Sequence, residues 1–390
     1  NIIEAPKVHF KTKSDQNFLG QTSLKYHTKN ISFGISTENL WWGPARQNSL
    51  LFTNTAPGFK HAYFQTQKPL KTAIGSFEMK VIMGLLDSTK YENPDDSIMR
   101  TIWRGGIYPK SNSARNINAF IINWQPKWIQ NLYIGYAYSK IMYSDSNKIS
   151  NGSEKMGVGV LMARFVMPKD HAEFYGEMGM PNEAPWPWKF FKDRMRPGFV
   201  FGATKLVPLK LFDSYLSLNV EFTQTQLINS RDILYEGYPY AGGKPNSWYL
   251  STIVKQGWSN NGQLMGSSIG PGSNNQSISL SWNKGYNKIG VFVERTVFNN
   301  DFYYSVYYNP LAEYGYYNRY WVDLTQRLEL QLMPVKNILL SASFTNTNAL
   351  NYRWIRIEDG SLYDEPSRYS DKYNNQFQMS IKYLLHAVVK

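Results

Sequence analysis

The chain has 390 residues, of which 16 % are aromatic and 18 % charged, and it contains no cysteine. That excludes a disordered chain, which needs few aromatics and dense charge, and it excludes disulfide frameworks, thiolate metal sites and cysteine nucleophiles. The formal charge of +13 suits acidic partners such as lipid phosphate or acidic polysaccharide, so its placement along the chain matters more than its sum.

The first residue is Asn1 and no signal peptide follows it, so a mature chain after signal-peptide removal is expected. No run reaches the ~18 apolar residues of a membrane-spanning helix. Alternation with a period of two dominates instead. It begins at Ile31–Thr37 and returns at His61–Gln67. It is clear again at Leu132–Ser139, where Leu132, Ile134, Tyr136 and Tyr138 oppose Tyr133, Gly135, Ala137 and Ser139. Ser217–Thr223, Val322–Leu332 and Gln376–Tyr383 follow the same rule, with Leu218, Val220 and Phe222 on one face of the first. About 14 strands are clear, and further ones at Ile98–Tyr108, Trp248–Lys255 and Asn351–Glu358 would bring the number towards 18.

The connections are sorted by length. Short turns lie at Lys68–Lys71, Pro126–Asn131, Pro168–Asp170, Val207–Asp213, Lys284–Lys288 and Met333–Asn337. Between them run long polar excursions: Asp87–Asn116, Asp145–Glu154, Pro181–Arg196, Ile228–Gln276, Asn299–Tyr316 and Ala349–Tyr373. Amphipathic strands with tight turns on one side and long loops on the other predict an all-β fold: a transmembrane antiparallel β-barrel of 14–18 strands. A soluble propeller is disfavoured, because no fixed repeat of 40–50 residues is present. So wide a barrel either conducts water or is plugged by its own segments. The expected organisation is a single outer-membrane domain over residues 1–390, with a periplasmic or plug segment over about residues 1–58.

The excess positive charge favours the tight-turn side and the first 30 residues. The six short turns carry about +6, whereas the six excursions balance to about zero. Two basic clusters stand out within the excursions. One comprises Arg100, Arg104, Lys110 and Arg115. The other follows "PWPW", where Trp186 and Trp188 precede Lys189, Lys192, Arg194 and Arg196.

One stretch breaks the pattern. "ENLWWGPARQNSLLF" (Glu38–Phe52) places Leu40, Trp41, Trp42, Leu50, Leu51 and Phe52 where strand parity calls for a loop. Exposed, they would form an unusually large apolar patch. The segment is therefore expected to fold inward, its tryptophans either packing as a plug or offering flat faces to a sugar ring. A second unusual stretch, Gln256–Gln276, is rich in Gly, Asn and Ser, which rules out a long helix or a continuous strand and suits hydrogen bonding to sugar hydroxyls.

These two stretches resemble a family. "WWGPARQNSLLFTNTAPGF" (Trp41–Phe59) is similar to the W-W-G-P-G…S-L-L signature of the Wzi capsule assembly proteins, departing at Ala45, where Gly is more usual. "QGWSNNGQLMGSSIGPGSNNQ" (Gln256–Gln276) is similar to the family's glycine-rich block. The resemblance implies an 18-stranded outer-membrane barrel of a Gram-negative cell that binds capsular polysaccharide as a lectin, without catalysis. It also implies a small helical element on the periplasmic side. A porin-like channel, or a structural subunit of a larger envelope complex, is the alternative.

Signals for catalysis are weak. "GSSIG" (Gly266–Gly270) matches a nucleophile elbow, but Pro271 and Gly272 follow where that elbow needs a helix. Glu173 and Glu177 share a strand face about 13 Å apart, too far for a glycosidase pair, although a cross-strand partner such as Glu221 stays open. The five histidines are scattered, so no metal and no cofactor are expected. Candidate polysaccharide contacts are Trp41, Trp42, Arg46, Trp186, Trp188, Lys189, Arg194, Arg196, Trp258, Asn274 and Asn275. The expected partners are surface polysaccharide, outer-membrane lipid or lipopolysaccharide, and other envelope proteins. Nucleic acid is not among them, because no recognition module is present.

Overall fold

The computed structural model describes residues 20–89, 114–144, 155–181, 197–226, 247–251, 254, 256–301, 303, 320–354 and 371–384. In chain order its strands are β1 (Ser23–His27), β2 (Ile31–Ser36), β3 (Lys60–Thr66), β4 (Leu70–Thr72), β5 (Gly75–Leu86), β6 (Arg115–Pro126), β7 (Leu132–Tyr143) and β8 (Lys155–Met167). They continue as β9 (Ala172–Pro181), β10 (Gly198–Leu209), β11 (Ser214–Gln224), the two-residue pair β12 (Ser259–Asn260) and β13 (Gln263–Leu264), β14 (Asn274–Lys284), β15 (Asn287–Val297), β16 (Val322–Val335), β17 (Ile338–Leu350) and β18 (Lys372–Tyr383).

All but β12 and β13 form one 16-stranded antiparallel sheet in which chain neighbours pair, with β4 extending the β3 position along β5. This is the wall of the expected barrel. Among the described residues the outer edges of β1 and β18 have no strand partner. Most wall strands span 10–14 residues, long enough to cross a bilayer when tilted.

The register separates two faces. Phe174, Ala203, Val220, Ile278 and Val293 stand side by side in one row. Phe174, Ile278 and Val293 are exposed there, an apolar belt suited to lipid tails. One residue along each strand, Arg164, Tyr175, Gly202, Glu221, Ser277, Glu294 and Thr325 form the matching inner row. Polar side chains inside and apolar ones outside invert the arrangement of a soluble barrel.

Three expectations need correction. Residues 23–36 form β1 and β2, because Leu24, Phe33 and Ile35 alternate towards the outer face, so within the described residues of the expected segment only those from residue 37 on turn inward. The described part of the expected strand at Trp248–Lys255 is instead a turn whose Trp248 and Tyr249 are wholly buried. At Asn351–Glu358 the described part, Tyr352–Trp354, is a 3-10 turn. The expected strand at Ile98–Tyr108 lies outside the described residues. On the tight-turn side, a 3-10 turn at Lys210–Phe212 joins β10 to β11.

Candidate functional site: a plugged lumen

The segment between β2 and β3 turns into the barrel. Trp42 and Phe52 bridge as an isolated antiparallel pair, which closes the segment on itself. Their rings meet edge to face with centroids 5.2 Å apart, and Phe52 continues the stack to Phe59 at 6.2 Å and Trp258 at 5.8 Å. Leu50, Leu51 and Phe52 are almost completely buried. The apolar run that had no place on a solvated loop is the centre of a small core inside the lumen.

The second block completes that core. The Trp258 indole donates to the carbonyl of Leu51 at 2.9 Å, and the Tyr249 hydroxyl donates to that of Leu50 at 2.8 Å. Tyr249 holds a left-handed backbone at φ 63°, costly for a bulky residue. Its hydroxyl also accepts the Ser267 N–H at 3.0 Å, so two bonds fix the ring. Burial pushes the Tyr249 phenol up, which keeps it a donor. Thr53 N–H donates to the Met265 carbonyl at 2.7 Å, tying the two blocks edge to edge. Ser267 and Ser268 both donate to Asn48 Oδ1, at 3.1 and 2.8 Å.

Three glutamates on the inner wall hold this plug. Glu221 of β11 accepts three consecutive backbone N–H groups, from Arg46 at 2.7 Å, Gln47 at 3.1 Å and Asn48 at 2.8 Å. The Tyr175 hydroxyl donates to the same carboxylate at 2.9 Å. Successive N–H groups around one anion form a nest, here with the protein's own carboxylate as the anion. Glu177 of β9 accepts from Ala45 N–H at 3.2 Å, Leu50 N–H at 2.8 Å and the Ser49 hydroxyl at 3.3 Å. Glu173 takes Arg46 on one oxygen and Arg164 on the other, with Arg164 Nε at 2.9 Å. The carboxylates that might have suggested a glycosidase are therefore occupied in fastening a loop.

Gly43 is dictated by that fastening. It sits at φ 136°, and a Cβ there would lie 2.1 Å from Glu177 Oε1 and 2.8 Å from Ser49 Oγ. Gly43→Ala is expected to cost the plug about 1–3 kcal/mol through backbone strain alone. Limited proteolysis of the folded barrel checks this, with cleavage within residues 37–59 expected to quicken. Cleavage at the wild-type rate would show that residue 43 carries a side chain at this φ without cost.

Arg115 was missed as a structural residue. Counted among the cations of the first excursion, it is the first residue of β6 and wholly buried. It donates to the carbonyls of Asp87 at 2.8 Å and Ser259 at 3.0 Å. Asn260, also in the second block, bridges the Asp87 N–H at 2.9 Å and the Pro57 carbonyl at 3.1 Å.

The sequence candidates divide accordingly. Trp42, Trp258 and Asn275 are buried, and the last two make their hydrogen bonds within the protein. Asn275 lies at the start of β14 rather than in a loop, donating to Glu294 at 3.0 Å and Thr296 at 2.7 Å. Asn274, half-buried beside it, donates to Gln226 at 2.9 Å. Trp41 is half-buried, with its indole on the Ala45 carbonyl at 3.0 Å. Arg46 is exposed but faces the tight-turn end, towards Glu173. Trp186, Trp188, Lys189, Arg194 and Arg196 lie outside the described residues.

Comparison with known proteins places this architecture. A solved structure described as Wzi of Escherichia coli, an outer-membrane protein involved in group 1 capsule assembly and a carbohydrate-binding β-barrel, aligns with a TM-score of 0.58 at 14 % identity. The alignment covers 84 % of this chain and 66 % of that one, so the chain spans just under two thirds of the length of that structure. OccK10 (OpdN) of Pseudomonas aeruginosa aligns over 92 % of this chain and 84 % of its own, at 9 % identity and a TM-score of 0.37. No curated protein matches the sequence. The family model described as Capsule assembly protein Wzi matches residues 4–350, a range that contains both plug blocks and the three glutamates that hold them. On that match, with a barrel fold to accompany it, the chain belongs to the Wzi capsule assembly family.

Proposed function

We propose that this protein is a non-catalytic outer-membrane barrel that holds surface polysaccharide at its long-loop end. The observation that carries the reading is the plug. Two loop blocks close the lumen across part of its length and are bonded to the wall by buried carboxylates, so the barrel offers a rigid end rather than a passage. A channel needs the space that Trp42, Phe52 and Trp258 occupy. The carbohydrate binding of the Escherichia coli barrel supports the ligand class. Trp41 and the basic, tryptophan-bearing stretch from Trp186 to Arg196 are the proposed contacts, since indole faces stack on sugars and cations meet acidic groups. Trp42, Trp258 and Asn275 shape the support beneath.

The test is retention of polymer on cells that export capsule but lack their own attachment protein. Restoring this protein is expected to return polymer to the cell pellet. The triple change Trp41→Ala, Trp186→Ala, Trp188→Ala is expected to release it to the medium while the folded barrel still reaches the outer membrane. Full retention by that variant would place binding elsewhere.

A further inference from the structure

Beneath the plug the lumen contains a cavity of about 730 Å³ on the tight-turn side, with Pro168 and His171 of one turn among its walls. That volume accommodates a ligand of a few rings. Arg46 hangs into it from the plug, Arg164 from β8 and Lys288 from β15. Glu173 is the one carboxylate in the lining, and both of its oxygens are already engaged, one by each arginine. Lys288 bonds Glu329 at 2.6 Å, and Arg327 reaches the same carboxylate at 3.3 Å. Counting Arg46, Arg164, Lys288 and Arg327 against Glu173, Glu329 and Glu221, whose carboxylate meets the Arg46 and Gln47 backbone, leaves an excess of one positive charge around the cavity.

The arginines are not saturated. Their side chains are 51 % and 43 % exposed, and each guanidinium has donors beyond those that meet Glu173. Two guanidinium forks flanking one carboxylate form a clamp for a further planar anion, which arginine binds better than lysine does. Ser217, Ser279 and Ser281 project from the inner faces of β11 and β14 to form one hydroxyl-bearing wall, and apolar Val166, Met167 and Leu206 are part of the remaining lining. The excess positive charge of the short turns surrounds the mouth at this end, which raises the local concentration of anions.

We propose that this cavity binds a carboxylate-bearing saccharide entering from the tight-turn end, its acid group on Arg46 and Arg164 and its hydroxyls along the serine wall. It is a second site, at the opposite end from the surface loops. The saccharide half of the inference rests on the polysaccharide-binding reading; the anion half rests on the cavity alone. Arg46 belongs to the same three-residue nest that Glu221 holds, so an occupied cavity touches the plug directly.

The experiment is calorimetric titration of the detergent-purified full chain with a glucuronate-containing disaccharide, a neutral disaccharide of equal size, and inorganic phosphate. The glucuronate sugar is expected to bind at least about tenfold more tightly than either of the others, about 1.4 kcal/mol. Arg164→Gln is expected to remove that advantage. Lys288→Gln, which touches neither plug nor Glu173, is expected to weaken binding several-fold, so the result does not depend on one variant folding. Equal affinity for acidic and neutral sugars, or wild-type affinity in both variants, would overturn the site. Phosphate binding as tightly as the sugar would overturn its saccharide specificity. Retention of polymer on cells, measured on the same variants, separates the two readings: lost titration with surviving retention leaves the surface site standing, and the reverse pattern leaves only the cavity.

Discussion

A barrel carrying Glu177→Ala together with Glu221→Ala is expected to conduct ions in a planar bilayer at a level the unaltered protein does not reach. The two carboxylates together accept five backbone N–H groups, from Ala45, Arg46, Gln47, Asn48 and Leu50. They also accept the hydroxyls of Ser49 and Tyr175. A hydrogen bond to a charged group contributes about 1.5–3 kcal/mol net, and a buried N–H left without a partner costs about 1–3 kcal/mol. Even at the lower limit, with cavity water replacing some of the bonds, the plug loses about 5 kcal/mol of attachment. The wall loses nothing comparable, because its ladder is backbone to backbone. The folded barrel should therefore still migrate faster than boiled protein on a gel while its lumen opens. Glu221→Gln keeps the shape but turns one of the two accepting oxygens into an amide nitrogen that faces an N–H donor, so its conductance should lie between that of the wild type and that of the double alanine variant. Conductance at the wild-type level in the double alanine variant would mean that packing of Trp42, Phe52 and Trp258 holds the plug unaided.

The wall was legible because its physics is local. Side chains alternate across a strand whatever lies beyond it, so Ser217–Thr223 and Gln376–Tyr383 read correctly as β11 and β18, and the short turns fell within a few residues of their places. The inward course of Glu38–Phe52 was legible for a related reason: six large apolar residues cannot stay on a solvated loop. What the plug binds to was not legible. Glu177 and Glu221 alternate like any other polar lumen residues, and only the pairing across β9, β10 and β11 brings them to face Ala45–Leu50. Arg115 is hidden in the same way, since a buried arginine serving three backbone carbonyls has the same sequence as a solvated one. Trp258 does carry a signal of its burial in the sequence. It stands in a stretch of Gly, Asn and Ser with few other apolar residues, while Leu50–Phe52, in the other family block, needed cover. Two incomplete surfaces in one chain are candidates for each other.

That pairing makes Trp258→Ala a stability variant before it is a binding variant. The indole is wholly buried, donates to the Leu51 carbonyl at 2.9 Å and packs 5.8 Å from the Phe52 ring. Truncating a buried tryptophan costs about 3–5 kcal/mol through lost packing and the cavity left behind, and here the Leu51 carbonyl loses its donor as well. Trp41 makes the contrast. It is half-buried, and its indole holds only the Ala45 carbonyl, so Trp41→Ala should cost about 1 kcal/mol. Urea unfolding in detergent, followed by tryptophan fluorescence, checks both. Trp258→Ala is expected to lower the midpoint of the plug transition strongly and Trp41→Ala slightly. In the polymer-retention assay the order should reverse once the comparison is made at a temperature where both plugs are folded, because Trp258 reaches no ligand and Trp41 is a proposed contact. A Trp258→Ala protein with wild-type unfolding and impaired retention would return that tryptophan to the binding surface, and would mean that the core around Phe52 closes without it.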